Sequence, residues 1–260
     1  MASRTFLGNL RLLLLLAVLG FVALGAWLDR ARARDWDSSL RVTIYPLAAG
    51  GSDTADFVAA IDESAYRDIE RFMAGEARRF SLPLEEPVRI RVSRHAAGLP
   101  PASPDEPGMI SLAAWSLRMR YWAWRVQASD PLPPPDVQVF ALYHDFREQH
   151  ALPDSLGLSK GLVVVAQLFA ANSAAGSNNV VLVHELLHTL GATDKYDPRS
   201  GQPRVPEGLG DPEARPLYPQ RQGEIMAGRI ALGPNEAAIP DRLERMNVGK
   251  LTAGEIGWVE

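Results

Sequence analysis

The sequence predicts a mixed α/β (α+β) domain, preceded by one hydrophobic segment at the N-terminus. Three observations carry this. Short β-branched runs (Arg41–Tyr45, Val88–Val92, Val137–Tyr143, Leu162–Leu168) are separated by stretches of helical periodicity. Hydrophobic residues make up 47% of the 260 residues and charged residues 22%, a folded composition. The uncharged run Leu12–Leu28 stands apart from everything after it.

That run would span roughly 26 Å as a helix, near the short end of what crosses a bilayer. Arg4 and Arg11 precede it without an acidic residue, and Trp27 sits at its far end. We therefore expect a basic N-terminal segment (1–11), a single-pass transmembrane signal-anchor (12–28), a charged tether (29–40) and a catalytic-sized domain (41–260). The run exceeds the ~7–15 residues of a cleaved signal peptide. Small-residue sites after Gly25 and Ala33 leave a cleaved, secreted form as the alternative. Arg30, Arg32 and Arg34 beyond the run weaken the positive-inside argument, and export of the C-terminal part is the favoured orientation.

Within the domain, Arg41–Tyr45 reads as a first strand ended by Pro46 and the Gly50-Gly51 turn. Asp53 to Phe80 reads as one helix, with Phe57, Ile61, Ala65, Ile69, Phe72 and Met73 at three- and four-residue steps. Val88–Val92 alternates apolar residues with Arg, as a strand with one solvated face does. After a Pro-rich loop, Trp115–Val126 interleaves aromatic residues with Arg118, Arg120 and Arg125. It fits either an amphipathic strand or a helix with its rings turned inward, and carries no assigned function. Thr252-Ala-Gly-Glu255 resembles a capping box opening a short last helix.

Composition also excludes. Net charge is −4, so no basic footprint points to nucleic acid. Cysteine is absent, which removes disulfides, thiolate metal sites and thiol nucleophiles. Any metal must be held by carboxylates and the five histidines.

Val180–Leu190 is apolar on every side of a helical wheel and so reads as a buried helix, with Ser177, Asn178 and Asn179 as N-cap candidates. Inside it sit His184, Glu185 and His188. Buried without partners they would cost several kcal/mol. Four-residue spacing projects both imidazoles from one face, where they can grip one ion, and Glu185 lies beside them. Gly191 follows, able to take positive φ and turn the chain back, and then Asp194, a carboxylate in reach of the same ion. The bland alternatives are a pair of satisfied core histidines and a turn carboxylate paired with Lys195.

At these residues the chain resembles the metzincin clan of zinc peptidases: His184-Glu185-Leu-Leu-His188-Thr-Leu-Gly191-Ala-Thr-Asp194, with Asp in place of the usual third His. The resemblance implies a zincin/metzincin-like domain with a twisted mixed sheet, an active-site helix and a Met-turn. It implies one Zn2+ held by His184, His188 and Asp194, with Glu185 as general base of an endopeptidase acting on peptide or protein substrates. Gly223-Glu224-Ile225-Met226-Ala227-Gly228 is the plausible Met-turn, with Met226 beneath the metal. No Tyr follows Met226 closely, so the role some relatives give such a Tyr is absent or falls to Tyr196 or Tyr218. A rival third ligand is a later Glu: Glu224, Glu207 or Glu213. A carboxylate ligand lowers the charge of the centre, which implies a neutral to alkaline optimum. Leu162–Leu168 is the candidate edge strand for an extended peptide. Outside this reading stand an inactive zinc-binding relative and a membrane-bound interaction protein using the Trp-rich segment.

Overall fold

Four of the five β-runs that form the main sheet are parallel, and a parallel sheet covered on both faces needs apolar residues at consecutive positions. In the computed structural model, which describes residues 25, 32–96, 98–104, 108–147, 155–158 and 162–259, β1 (Leu40–Ala48) and β3 (Val137–His144) are buried almost throughout. They pair with β2 (Val88–Val92), β4 (Leu156–Leu158) and β5 (Val163–Phe169) in the order β2-β1-β3-β5-β4, with β4 alone antiparallel. The predicted anchor Leu12–Leu28 lies outside the described residues apart from Gly25. Among the described residues no helix is long and apolar enough to cross a membrane.

The period of two along β3 sorts its side chains into two cores. Val137, Val139, Ala141 and Tyr143 join the larger core with α1 (Ser52–Ala60), α2 (Arg67–Arg79) and α4 (Ala175–Thr189). Phe140 and Leu142 face the other way, onto Met119, Ala123 and Val126 of α3 (Met109–Ser129). A short α5 (Lys250–Glu255) closes the chain under the larger core. Beyond α4, irregular chain is tied by two small ladders, β6 (Gly223–Glu224) with β9 (Met246–Asn247) and β7 (Ile230–Gly233) with β8 (Glu236–Ala238).

Several elements differ from the sequence expectation, each for a local reason. β1 continues through Pro46, which pairs with Ala141; β2 ends opposite Ile44, so the missing N–H falls where β1 has lost that neighbour. The single helix expected over 53–80 is broken at Ile61, where the backbone is extended; the Asp62 carboxylate accepts from the Ser64 N–H at 2.8 Å and starts a 3-10 turn that leads into α2. The candidate edge Leu162–Leu168 is an inner strand, because three residues too few to show a pattern, Leu156–Leu158, pair along it. The tether expected to reach Leu40 joins the fold earlier: Ala33 and Trp36 are buried, and the Trp36 indole donates to the Ile256 carbonyl at 2.8 Å.

Candidate metal centre

α4 contains no proline but many weak helix formers, Gly176, Asn178, Asn179 and three valines among them, so it is burial rather than propensity that holds it as a helix. Val180, Leu182, Val183, Leu186, Leu187 and Leu190 are all nearly inaccessible, each worth about 1.5–3 kcal/mol of transfer free energy. Its start differs from the expectation. The helix begins at Ala175 without a side-chain cap, and the asparagines fasten it instead. Asn178 exchanges two hydrogen bonds with the Phe169 backbone at the end of β5, and Asn179 donates to the Ala65 carbonyl at 3.0 Å.

The end of α4 sets the site. Gly191 takes φ +106°, its N–H donates to the His188 carbonyl at 3.1 Å, and the Ala192 N–H reaches back to Leu187 at 3.0 Å. This is a Schellman closure with Gly at the position that requires positive φ. It turns the chain sharply, and Asp194 comes to face the two histidines. The His184 and His188 Nε2 atoms are 3.0 Å apart, and Asp194 Oδ1 lies 3.3 Å from the first and 3.1 Å from the second. Among the described residues this is the one His/Asp/Glu cluster able to hold a metal ion.

The proton inventory of that cluster is informative. His184 Nδ1 faces the Ile225 carbonyl at 3.0 Å, and His188 Nδ1 faces the Ala192 carbonyl at 2.8 Å. A carbonyl only accepts, so each Nδ1 carries the hydrogen and each Nε2 of a neutral ring presents a lone pair. Two lone pairs and a carboxylate oxygen thus converge, and Asp194 Oδ1 is buried without a hydrogen-bond partner. Such a set of acceptors could hold a cation at its centre. Tetrahedral zinc with ligand distances of about 2.0–2.1 Å sets its ligand atoms about 3.3–3.4 Å apart, close to the spacing here. The residues present therefore fit a zinc ion.

Burial works against the charged form of His188, but the close Asp194 carboxylate, the Ala192 carbonyl and the nearby charge of Glu185 outweigh it and raise its proton affinity. Burial likewise opposes ionisation of Asp194, yet its contacts with His184 and His188 hold it well below the usual carboxylate range. Glu185 is 7% exposed on α4, beside the histidines in sequence. The Asp194 side chain is 41% exposed against 14% and 20% for the histidines, so the cluster opens to solvent on the Asp194 side.

Three further groups, read in other roles from the sequence, hold this arrangement. The Glu224 carboxylate is fully buried and accepts from Met226 N–H (2.6 Å), Ala227 N–H (3.1 Å), Gly249 N–H (3.1 Å) and the Thr252 hydroxyl (2.7 Å). It fixes the turn Ile225–Ala227 whose Ile225 carbonyl orients His184, with Met226 buried inside that turn. Burial raises the Glu224 pKa above its ordinary range despite these donors. Glu255 grips both neighbours of Asp194: it accepts from Thr193 N–H (2.9 Å), the Thr193 hydroxyl (2.7 Å) and buried Lys195 Nζ (2.7 Å). Lys195 N–H also donates to the Met226 carbonyl at 2.9 Å.

These contacts decide between sequence alternatives. Lys195 pairs with Glu255, leaving Asp194 to the histidines. Glu224 is engaged beneath the site, and neither Glu207 nor Glu213 joins the cluster. Thr252 and Glu255 are no capping box, since α5 is capped at Gly249 and both side chains serve the site. The Tyr196 ring lies 6.5 Å from the His184 ring. No protein-family model, curated protein or solved structure matches the chain.

Proposed function

We propose that the chain is a zinc-dependent endopeptidase of metzincin-like type, with His184, His188 and Asp194 as ligands and Glu185 as general base. The observation that carries this reading is the convergence of three acceptor atoms within 3.0–3.3 Å of one another, two from a buried helix whose histidine Nδ1–H groups are both directed away to carbonyls and one from the turn that follows it. A bound zinc ion supplies Lewis-acid polarisation of a carbonyl and acidifies a water molecule.

The chain's own residues do the rest. The Ile225 and Ala192 carbonyls hold the two imidazoles in one tautomer and one orientation. Glu185 accepts the proton of the attacking water and delivers it to the departing amine. Tyr196, whose ring lies 6.5 Å from that of His184, is the residue we propose as donor to the carbonyl oxygen of a substrate. The free edge of β4 borders the site helix, and an extended peptide added there by main-chain hydrogen bonds would lie alongside the histidines. We further propose that the run Leu12–Leu28 anchors this domain on the exported side of a membrane.

The test uses the full chain supplied with zinc and unfolded protein substrates. Glu185→Gln is expected to keep its zinc and lose hydrolysis by about 10²–10⁴-fold. Hydrolysis unchanged in Glu185→Gln would exclude Glu185 as base, and zinc binding without any hydrolysis would leave a structural metal centre.

A further inference from the structure

α3 is apolar on two opposite faces. One face is the expected one: Trp115, Met119, Ala123 and Val126 are buried, the last three against the sheet. On a helical wheel the face turned 180° away is formed by Ile110, Ala113, Leu117, Tyr121, Trp124 and Ala128. All six are exposed, with Ile110 at 86%, Leu117 at 66% and Tyr121 and Trp124 at 61% each. The Tyr121 and Trp124 rings stack on each other at 5.9 Å in the open. A continuous exposed apolar stripe of this kind on a folded surface marks something that covers it.

We propose that this outer stripe of α3 lies in the headgroup region of a lipid bilayer and sets the domain's orientation on the membrane. Charge selects the occupant. Arg118 and Arg125 border the stripe on one side and Arg120 on the other, and the helix holds no acidic residue in a chain of net charge −4. Anionic headgroups complement that pattern. A second copy would set the same arginines against one another. Tyr and Trp are the side chains that partition to the membrane interface.

Chain connectivity points the same way. Arg32 and Gln127, near the C-terminal end of α3, line one surface cavity at the start of the sheet. Ala33 and Trp36 are buried in the domain, so its entry point is fixed. Four peptide steps separate Leu28 from Arg32 and reach at most about 14 Å, so a chain anchored through Leu12–Leu28 carries this end of α3 close to the lipid surface. The metal cluster belongs to α4, on the opposite face of the sheet. The docked domain therefore turns its site away from the lipid, toward soluble or protruding chains. The proposal rests on the anchor reading, not on the zinc reading.

Because the chain has no cysteine, single labels can be placed cleanly in the full-length protein. Leu117→Cys and Ala128→Cys report the stripe; Ser200→Cys and Glu244→Cys report exposed positions outside it. Each carries an environment-sensitive fluorophore in phosphatidylcholine vesicles with and without phosphatidylglycerol and with nitroxide-bearing lipids. We expect quenching at 117 and 128 several-fold above that at 200 and 244, stronger with phosphatidylglycerol and weakened by salt. Replacing Ile110 and Trp124 by Ser should reduce it at 128 while the protein still floats with the vesicles. Flotation with equal quenching at all four positions would overturn the docking and leave the anchor standing. Failure to float would overturn both. Thiol cross-linking between two copies of the Leu117→Cys variant, without lipid quenching, would overturn the docking and assign the stripe to self-association.

Discussion

Two helices flank the same sheet and are both rich in large apolar residues, yet they carry opposite anomalies. α4 is surrounded by core on nearly every side and holds polar groups where a core has no use for them: two imidazoles and Glu185 among Leu and Val. α3 has core on one side only and holds apolar groups where solvent has no use for them: Leu117, Tyr121 and Trp124. A buried polar group costs free energy unless something charged or hydrogen-bonding meets it. An exposed apolar stripe gains free energy only when something covers it. On the readings proposed above, each helix awaits a partner, an ion for α4 and a surface for α3.

Leucine truncation breaks the comparison most directly, since the same residue type sits on both helices. Leu187→Ala, at a fully buried position of α4, should cost about 2–5 kcal/mol of unfolding free energy. Leu117→Ala on α3 should fall within about 0.5 kcal/mol of wild type. Urea unfolding of both variants checks this, and equal losses would mean that the outer face of α3 is packed in solution.

Glu224 sharpens the account of how α4 is supported. Glu224→Ala removes one acceptor from four donors, two of them in the turn that orients His184. A loss of about 3 kcal/mol is expected by the same urea measurement, together with weaker zinc binding. A stable variant with unchanged zinc affinity would show that the turn holds itself.

A smaller effect concerns pH. Burial opposes ionisation of Glu255, but Lys195 and Thr193 outweigh it and hold its folded-state pKa below the ordinary glutamate range. A depressed carboxyl stabilises the fold above the unfolded-state pKa, and that contribution disappears as pH falls through the folded-state value. The thermal midpoint of wild type should exceed that of Glu255→Gln at neutral pH, with the gap closing as the pH falls below the ordinary glutamate range. A gap independent of pH would mean that the clamp on Thr193 and Lys195 does not depend on the charge.

Legibility in the sequence followed the range of the interactions. His184, Glu185, His188, Gly191 and Asp194 lie within one helix and its exit, so spacing alone brought them together. The strands with β-branched runs were readable for the same reason. What could not be read was long-range or too short to be periodic: β4, with three residues, and the role of Glu224, whose donors lie as far along the chain as Thr252. Thr252 and Glu255 have the spacing of a cap, and only the fold reveals that they face the site. The Trp-rich stretch was ambiguous because two apolar faces 180° apart erase the one-sided signature of an amphipathic helix. Its rings do not all turn inward, as Tyr121 and Trp124 show.

The central claim is that His184, His188 and Asp194 together hold one zinc ion, and metal analysis of the purified full chain tests it most directly. After supply of zinc and removal of excess, the account predicts close to one zinc per wild-type chain and little or none in folded His188→Ala or Asp194→Ala. A folded wild-type chain that binds no zinc, or an Asp194→Ala variant that keeps it with undiminished affinity, would contradict the assignment.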